Sequence, residues 1–182
     1  MLPYISLFFI LSILALYKGD VSSHSVTLSS KDKYSWFFIS LILIIFVGLR
    51  SEIGGDWGNY INNYYFENGL ERGFSYFRQT GLTAFTDFNY VLLNTIIRRI
   101  NGTVYLVNLI SSIFFIYAAM KFCKNNPRPW LGLIILFPYF ITVVGIGYNR
   151  QSLALAAFML ALIELQNHKK IKFYLWVLFG TT

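Results

Sequence analysis

The chain has 182 residues, of which 56% are hydrophobic, 19% aromatic and only 13% charged, with a formal net charge of +7. A soluble domain carries about 25% charged residues, so this density cannot cover the surface of a water-soluble globule. A chain this apolar is not disordered either, and its apolar residues come in long runs that point to the bilayer as solvent.

Met1 to Tyr17 contains no charge and reads as a first span. A cleaved signal peptide fits less well, because no Lys or Arg precedes the run and no small-x-small site follows it. Residues 18–33 are polar and serine-rich, a loop, and Tyr34 to Leu49 is a second uncharged run, slightly short but extendable by snorkelling flanks. From Arg50 to Asp87 the pattern breaks into a stretch rich in Gly, Asn and aromatics. Asp87 has the character of a helix N-cap, ahead of apolar residues at Phe88, Leu92, Leu93, Ile96, Ile97 and Ile100, and Asn101-Gly102 reads as the stop. That helix is too short to span and is expected to be interfacial or re-entrant. Thr103 to Met120, Pro129 to Gly147 and Asn149 to Leu165 read as three further spans, and a sixth begins at Ile171. From there to Thr182 a helix covers about 18 Å against a hydrocarbon core of about 30 Å, so the chain is expected to be the front portion of a longer protein.

The expected fold is therefore all-α: a single polytopic transmembrane helix bundle over residues 1–182. It has five full spans at 1–17, 34–49, 103–120, 129–147 and 149–165, and a partial sixth at 171–182. One long outer loop, 50–102, carries the short interfacial helix. The lone Cys123 excludes an internal disulfide framework. His24 and His168 have no partners at ligand spacing, so no metal site is expected. Nucleic acid is not an expected partner, because the basic residues sit at the ends of apolar runs, as topology requires, rather than in one patch.

With the N-terminus outside, the inner loops hold Lys18, Lys31, Lys33, Lys121, Lys124, Arg128, Lys169, Lys170 and Lys172; the outer side holds Arg50, Arg72, Arg78, Arg98, Arg99 and Arg150. The bias has the expected sign. Its chemistry is more telling, since every lysine is inside and every outer base is arginine. Topology needs only positive charge, whereas arginine adds a planar fork that binds phosphate or carboxylate bidentately. The outer arginines either bind an anion or pair with the outer acids Glu52, Asp56, Glu67, Glu71 and Asp87.

Two stretches concentrate chemistry. In LRSEIGGDWGNYINNYYF, Leu49 to Phe66, Arg50 leaves the second span, Gly54-Gly55 permits a tight turn, and Glu52 and Asp56 lie at the water boundary. There a carboxylate can act as a base or accept from a sugar hydroxyl. Trp57, Tyr60, Tyr64, Tyr65 and Phe66 offer faces that stack on sugars, or else form an interfacial aromatic belt. In GIGYNRQSLALAAFMLAL, Gly145 to Leu162, Asn149 caps the fifth span and Arg150-Gln151 open its first turn. A cation there opposes the helix dipole, but an anion would gain from both the guanidinium and the free backbone N–H groups. The alternative is an arginine snorkelling to head groups. Ser152 with Ala156, and Ala157 with Ala161, suit close helix packing. Arg98-Arg99 close the interfacial helix, where the dipole alone favours them.

GLR at Gly48–Arg50, GGD at Gly54–Asp56 with Tyr60, DFNYVLLN at Asp87–Asn94, and Arg150-Gln151-Ser152-Leu153-Ala154 occur in an order that resembles the EpsG/Wzy-type bacterial polysaccharide polymerases. The resemblance implies a glycosyltransferase of the bacterial inner (cytoplasmic) membrane, with its N-terminus and long loop on the periplasmic or extracellular side. It would join oligosaccharide repeat units carried on undecaprenyl diphosphate, for an O-antigen or exopolysaccharide. Arg150 and Arg50 would neutralise the diphosphate leaving group, and Asp56 or Glu52 would orient or deprotonate the acceptor hydroxyl. Tyr60, Trp57, Gln151, Asn149, Arg98 and Arg99 are the candidate substrate-binding residues. No cofactor, metal or nucleotide sugar is implied. Membrane lipids and the pathway's chain-length regulator and flippase are the implied partners. Family members are roughly twice this length, so activity would need the remaining portion. The alternatives are an O-antigen ligase, a lipid-linked-sugar flippase or a structural membrane subunit. A flippase should place charge near mid-membrane, and the interiors of the five spans here lack charge.

Overall fold

The computed structural model describes residues 2–18, 30–66 and 88–181, and all regular structure among them is helical. In chain order the helices are α1 (Leu2–Lys18), α2 (Ser30–Gly48), α3 (Trp57–Phe66), α4 (Phe88–Arg99), α5 (Val104–Lys124), α6 (Pro129–Leu136) running into a π-helical segment (Phe137–Gly145), α7 (Asn149–Gln166) and α8 (Lys170–Thr181). The Asp87 cap, Glu67, Glu71, Arg72 and Arg78 lie outside the described residues.

Helix α2 begins one turn ahead of its apolar run, which lengthens a segment that looked short. Its 19 residues reach about 28 Å. Helix α5 alone among the described helices is both long and apolar enough to cross a membrane, and Leu2–Tyr17, Lys33–Gly48 and Pro129–Gly145 are shorter apolar helices. The chain outside the apolar runs is more helical than its composition suggests: α3 lies inside the Gly- and Asn-rich stretch that carries no apolar repeat. Asn101-Gly102 does stop α4. Asn101 takes φ 54°, and the Gly102 N–H bonds back to the Ile97 carbonyl at 2.9 Å.

The fourth apolar run is not one α-helix. Pro138 has no N–H to donate, and its ring crowds the carbonyl four residues back. From Phe137 the chain widens into a π-helix, with the Thr142 hydroxyl donating to the Pro138 carbonyl. The widened segment ends at Gly145, and Tyr148 breaks the chain before α7.

Helix α5 is the post around which the others assemble, packing against α2, α6, α7, the π-helical segment and the two short helices α3 and α4. The main core joins Leu11 of α1, Leu43 of α2, Phe115 and Ile116 of α5, Leu133 of α6, Phe137 and Ile141 of the π-helix, and Leu160 of α7. Trp36 and Trp130 meet edge-on in it, ring centroids 4.7 Å apart. Small residues set the closest approaches, and Ser152, Ala156, Ala157 and Ala161 are all buried along α7. At Gly48 a Cβ would lie 2.5 Å from the Ser112 hydroxyl oxygen. That oxygen sits 3.3 Å from the Ile44 carbonyl oxygen and 2.8 Å from that of Leu109.

The periphery is apolar as well. Leu2 is 82% exposed and Leu16 84%; Phe9, Ile13, Phe37, Phe38, Ile45, Ile171, Leu175 and Leu178 also face outward. Water-soluble monomers rarely show such continuous apolar surface, whereas hydrocarbon solvates it. A smaller cluster, Tyr60, Tyr64, Tyr90, Ile97, Val104, Val107 and Leu153, seats α3 and α4 over one end of α5 and α7.

Gly48→Leu forces α2 away from α5. It is expected to cost about 1–3 kcal/mol, read as a lower melting temperature of the detergent-solubilised protein, with Leu49→Ala on the exposed neighbouring position as the control that leaves it in place.

Candidate functional site

Arg50 follows the end of α2 directly, and the helix delivers its side chain into the protein rather than to water: the residue is only 4% exposed. One guanidinium nitrogen donates to the Gly145 carbonyl at 2.7 Å and the other to the Asn149 side-chain oxygen, also at 2.7 Å. The Asn149 amide donates in turn to the Asn108 side-chain oxygen of α5 at 2.5 Å. Arg50, Asn149 and Asn108 thus form a buried polar chain linking the exit of α2, the end of the π-helix, the start of α7 and the N-terminal part of α5. Burial pulls the Arg50 guanidinium below its ordinary range, and the nearby Tyr60, Tyr90 and Tyr4 partly offset it.

Asn149 does not cap α7, as its sequence position suggested. Tyr148 is the N-cap residue, with no side-chain cap bond, and Asn149 is the first helical residue. The amide is committed to Arg50 and Asn108 instead, because a buried guanidinium requires an acceptor more than a helix end requires a cap.

The GGD turn lies over this junction. Gly54 adopts φ 114°, and a Cβ there would come within 3.1 Å of the Ile146 carbonyl and 3.2 Å of Gly147. Only glycine serves both demands. Glu52, also at positive φ, is turned to the surface. Asp56 is half-buried, receives the Asn59 amide at 3.4 Å, and its carbonyl takes the first helical N–H of Tyr60 at 3.0 Å.

Helix α3 then carries Tyr60 inward. The residue is 2% exposed, and the backbone N–H groups of Asn149 and Arg150 face its hydroxyl oxygen. Burial, followed by the Asp56 charge, raises the Tyr60 phenol above its usual range against the pull of those N–H groups. Its ring lies 5.5 Å from that of Tyr90, and the Arg150 guanidinium stands 5.4 Å from the Tyr90 ring centroid. Tyr90 sits beside Asn94, Asn149 and Arg150, and burial pushes its phenol up to about 12. Both phenols keep their protons at neutral pH. Tyr60 is buried beside the N-terminus of α7.

Of the residues singled out by sequence, Arg50, Asn149, Arg150, Tyr60 and Asp56 converge here. Trp57 stands at the edge, half-buried and 5.9 Å from the Tyr105 ring. Arg98 makes a separate arginine–tyrosine contact one turn along α3, 5.2 Å from the Tyr64 ring, while the Tyr64 hydroxyl donates to the Gly102 carbonyl at 2.7 Å. Glu52, Arg99 and Gln151 are exposed and outside the cluster. Sequence reasoning missed Asn108, Tyr90 and Asn94. Asn108 had a signal, a lone amide near the start of an apolar run. Tyr90 and Asn94 stood within the DFNYVLLN motif but looked like helix filler. Among the described residues no group of three His, Cys, Asp or Glu side chains gathers to hold a metal.

Described residues whose regular structure is all helical, with a membrane-length central helix, an apolar periphery and a buried arginine–asparagine chain at one end, define a helical membrane protein. The family can be given as well. The chain belongs to the EpsG family, whose pattern it matches over residues 33–182, a range that contains the Gly48–Arg50, Gly54–Asp56, Asp87–Asn94 and Arg150–Ala154 motifs. Membership places it in polysaccharide biosynthesis, with a polymerase type of function. No curated protein and no solved structure matches the chain.

Asn149→Ala strips Arg50 of an acceptor and Asn108 of a donor. It is expected to cost about 1–3 kcal/mol, seen as a clear fall in melting temperature, whereas Gln151→Ala, exposed in the same turn, leaves the melting curve unchanged.

Proposed function

We propose that this protein is a polysaccharide polymerase that joins oligosaccharide repeat units carried on undecaprenyl diphosphate at the outer face of the bacterial inner membrane. The observation that carries the reading is the opening of α7, where the Arg150 guanidinium stands 5.4 Å from the Tyr90 ring centroid, the Tyr60 and Tyr90 rings lie 5.5 Å apart, and Asn149 is held by Arg50. A phosphoryl oxygen that replaces the Tyr60 hydroxyl meets two backbone donors, the positive end of a helix and a planar cation.

In the proposed reaction the acceptor hydroxyl oxygen attacks the anomeric carbon of the growing chain. The bond from that carbon to the lipid diphosphate breaks, and its electron pair leaves on the diphosphate. Arg150 and the α7 N-terminus stabilise the charge that develops there. Asp56, one turn ahead of Tyr60, is placed to take the proton of the acceptor hydroxyl. Arg50 acts as a positioning residue, since both of its terminal nitrogens are engaged with Gly145 and Asn149 and so hold the start of α7 in place. Trp57 and Tyr105 offer aromatic faces for a sugar at the rim.

This chemistry implies a polytopic bundle built from the apolar helices, with the N-terminus and the α3–α4 region outside. The flippase and chain-length regulator of the same route would be its working partners.

The test replaces Arg150 in the intact gene, in a host that makes the polymer. Arg150→Ala is expected to lower polymer by about 10²-fold while single-repeat products persist, and Arg150→Lys, which lacks the fork, is expected to restore little. Polymer of unchanged length and amount in Arg150→Ala would overturn the assignment, and long polymer stranded on its carrier would indicate a ligase instead.

A further inference from the structure

At the end of α2 and α5 remote from Arg50 lies a groove that the polymerase reading does not use. The two helices run antiparallel. Gly48 packs against Ser112 and Leu109 near one end of the pair. Toward the other end, between Lys33 and Lys124, the two helices line a groove of 440 Å³, within the range of about 300–1,000 Å³ typical of ligand pockets.

Its lining is sorted along its length. Ile44 and Ile113 close the deep end, Phe37 and Tyr117 form walls, and Lys33, Lys121 and Lys124 ring the mouth. The spacing produces this order, since Lys33, Phe37, Ser40 and Ile44 share one face of α2, and Ile113, Tyr117, Lys121 and Lys124 one face of α5. Two of the ammonium groups are held by rings: Lys124 stands 5.7 Å from the Trp36 centroid and Lys121 5.8 Å from that of Tyr117. Lys33 and Lys124 are close enough to repel each other.

We propose that this groove binds an anionic phospholipid from the leaflet at the lysine end, with an acyl chain along the aromatic and aliphatic walls and the phosphate among Lys33, Lys121 and Lys124. Charge complementarity selects the occupant. The described lining holds three lysines and no carboxylate, a pattern that a phosphate complements, whereas a zwitterionic head group would bring a cation of its own into the ring. Lysines that served only topology would need no groove beneath them, since they snorkel into water from any helix end.

The experiment measures lipid retention on the full chain in neutral detergent by native mass spectrometry, titrating phosphatidylglycerol against phosphatidylcholine. It reads binding and not polymer, so its outcome is independent of the polymerase assignment. Wild type is expected to retain phosphatidylglycerol and to shed phosphatidylcholine. The double variant Lys121→Gln/Lys124→Gln is expected to bind about 30-fold more weakly. Ser40→Phe, which keeps every charge but fills the groove, is expected to lose the lipid too, while eluting and melting as wild type. Equal retention of the two lipids by wild type, or unchanged phosphatidylglycerol binding in both variants, overturns the proposal. Complete displacement by millimolar inorganic phosphate also overturns it, because the site would then read the anion alone. Preferential capture of undecaprenyl phosphate would reassign the groove to the carrier.

Discussion

Everything at the Arg50 end of this protein depends on burying one guanidinium. A charge removed from water costs several kcal/mol unless its hydrogen bonds are replaced. At Arg50 the two terminal nitrogens have them replaced by a carbonyl and an amide from two further segments of the chain, while Nε is buried without a partner. The carbonyl belongs to Gly145, where the π-helix ends, and the amide to Asn149, where α7 begins. Asn149 reaches Asn108 on the central post. Moving any of these segments would strand a buried polar group, so the charge fixes their relative positions more strictly than apolar packing could. Apolar contacts tolerate sliding, and a bidentate guanidinium does not.

The irregular backbone nearby follows from that constraint. Pro138 breaks the α-helical ladder and widens the turns after it, so that the segment terminates with Gly145 facing Arg50. The chain then turns at Tyr148 and restarts as α7, leaving the first N–H groups of that helix without intrahelical acceptors. Gly54 lets the GGD turn lie directly on Ile146 and Gly147, and α3 follows it to place Tyr60 beside the start of α7. One proline, one glycine and one arginine together set where that helix begins.

The two ends of the bundle use cations differently. At one end Arg50 and Arg150 lie in or beside buried aromatic and amide surroundings, where a delocalised, weakly hydrated fork is tolerated. At the other, Lys33, Lys121 and Lys124 stay at the rim of a groove with their ammonium groups near water and aromatic faces. A strongly hydrated point charge belongs at such a rim. The partition of arginine and lysine along the chain is thus a partition of local dielectric as much as of topology.

Helical class, apolar periphery, the ends of most helices, the α4 stop at Asn101-Gly102 and the family motifs could all be read from residue order. Each depends on local spacing, charge density or a turn residue, and these act within a few positions of one another. The buried chain from Arg50 through Asn149 to Asn108 could not be read. Its members stand 99 and 41 residues apart in sequence. Each had a local explanation that looked sufficient: an arginine at a span end, an asparagine at a cap, an asparagine in an apolar run. Helix α3 was hidden for a related reason, since its order comes from packing Tyr60 and Tyr64 against Tyr90 and α5 rather than from any apolar period of its own. That Arg150 opens a helix could be read from sequence, but that Arg50 is locked in place was decided only by tertiary structure, because burial is a property of what packs around a side chain and not of its neighbours in the chain.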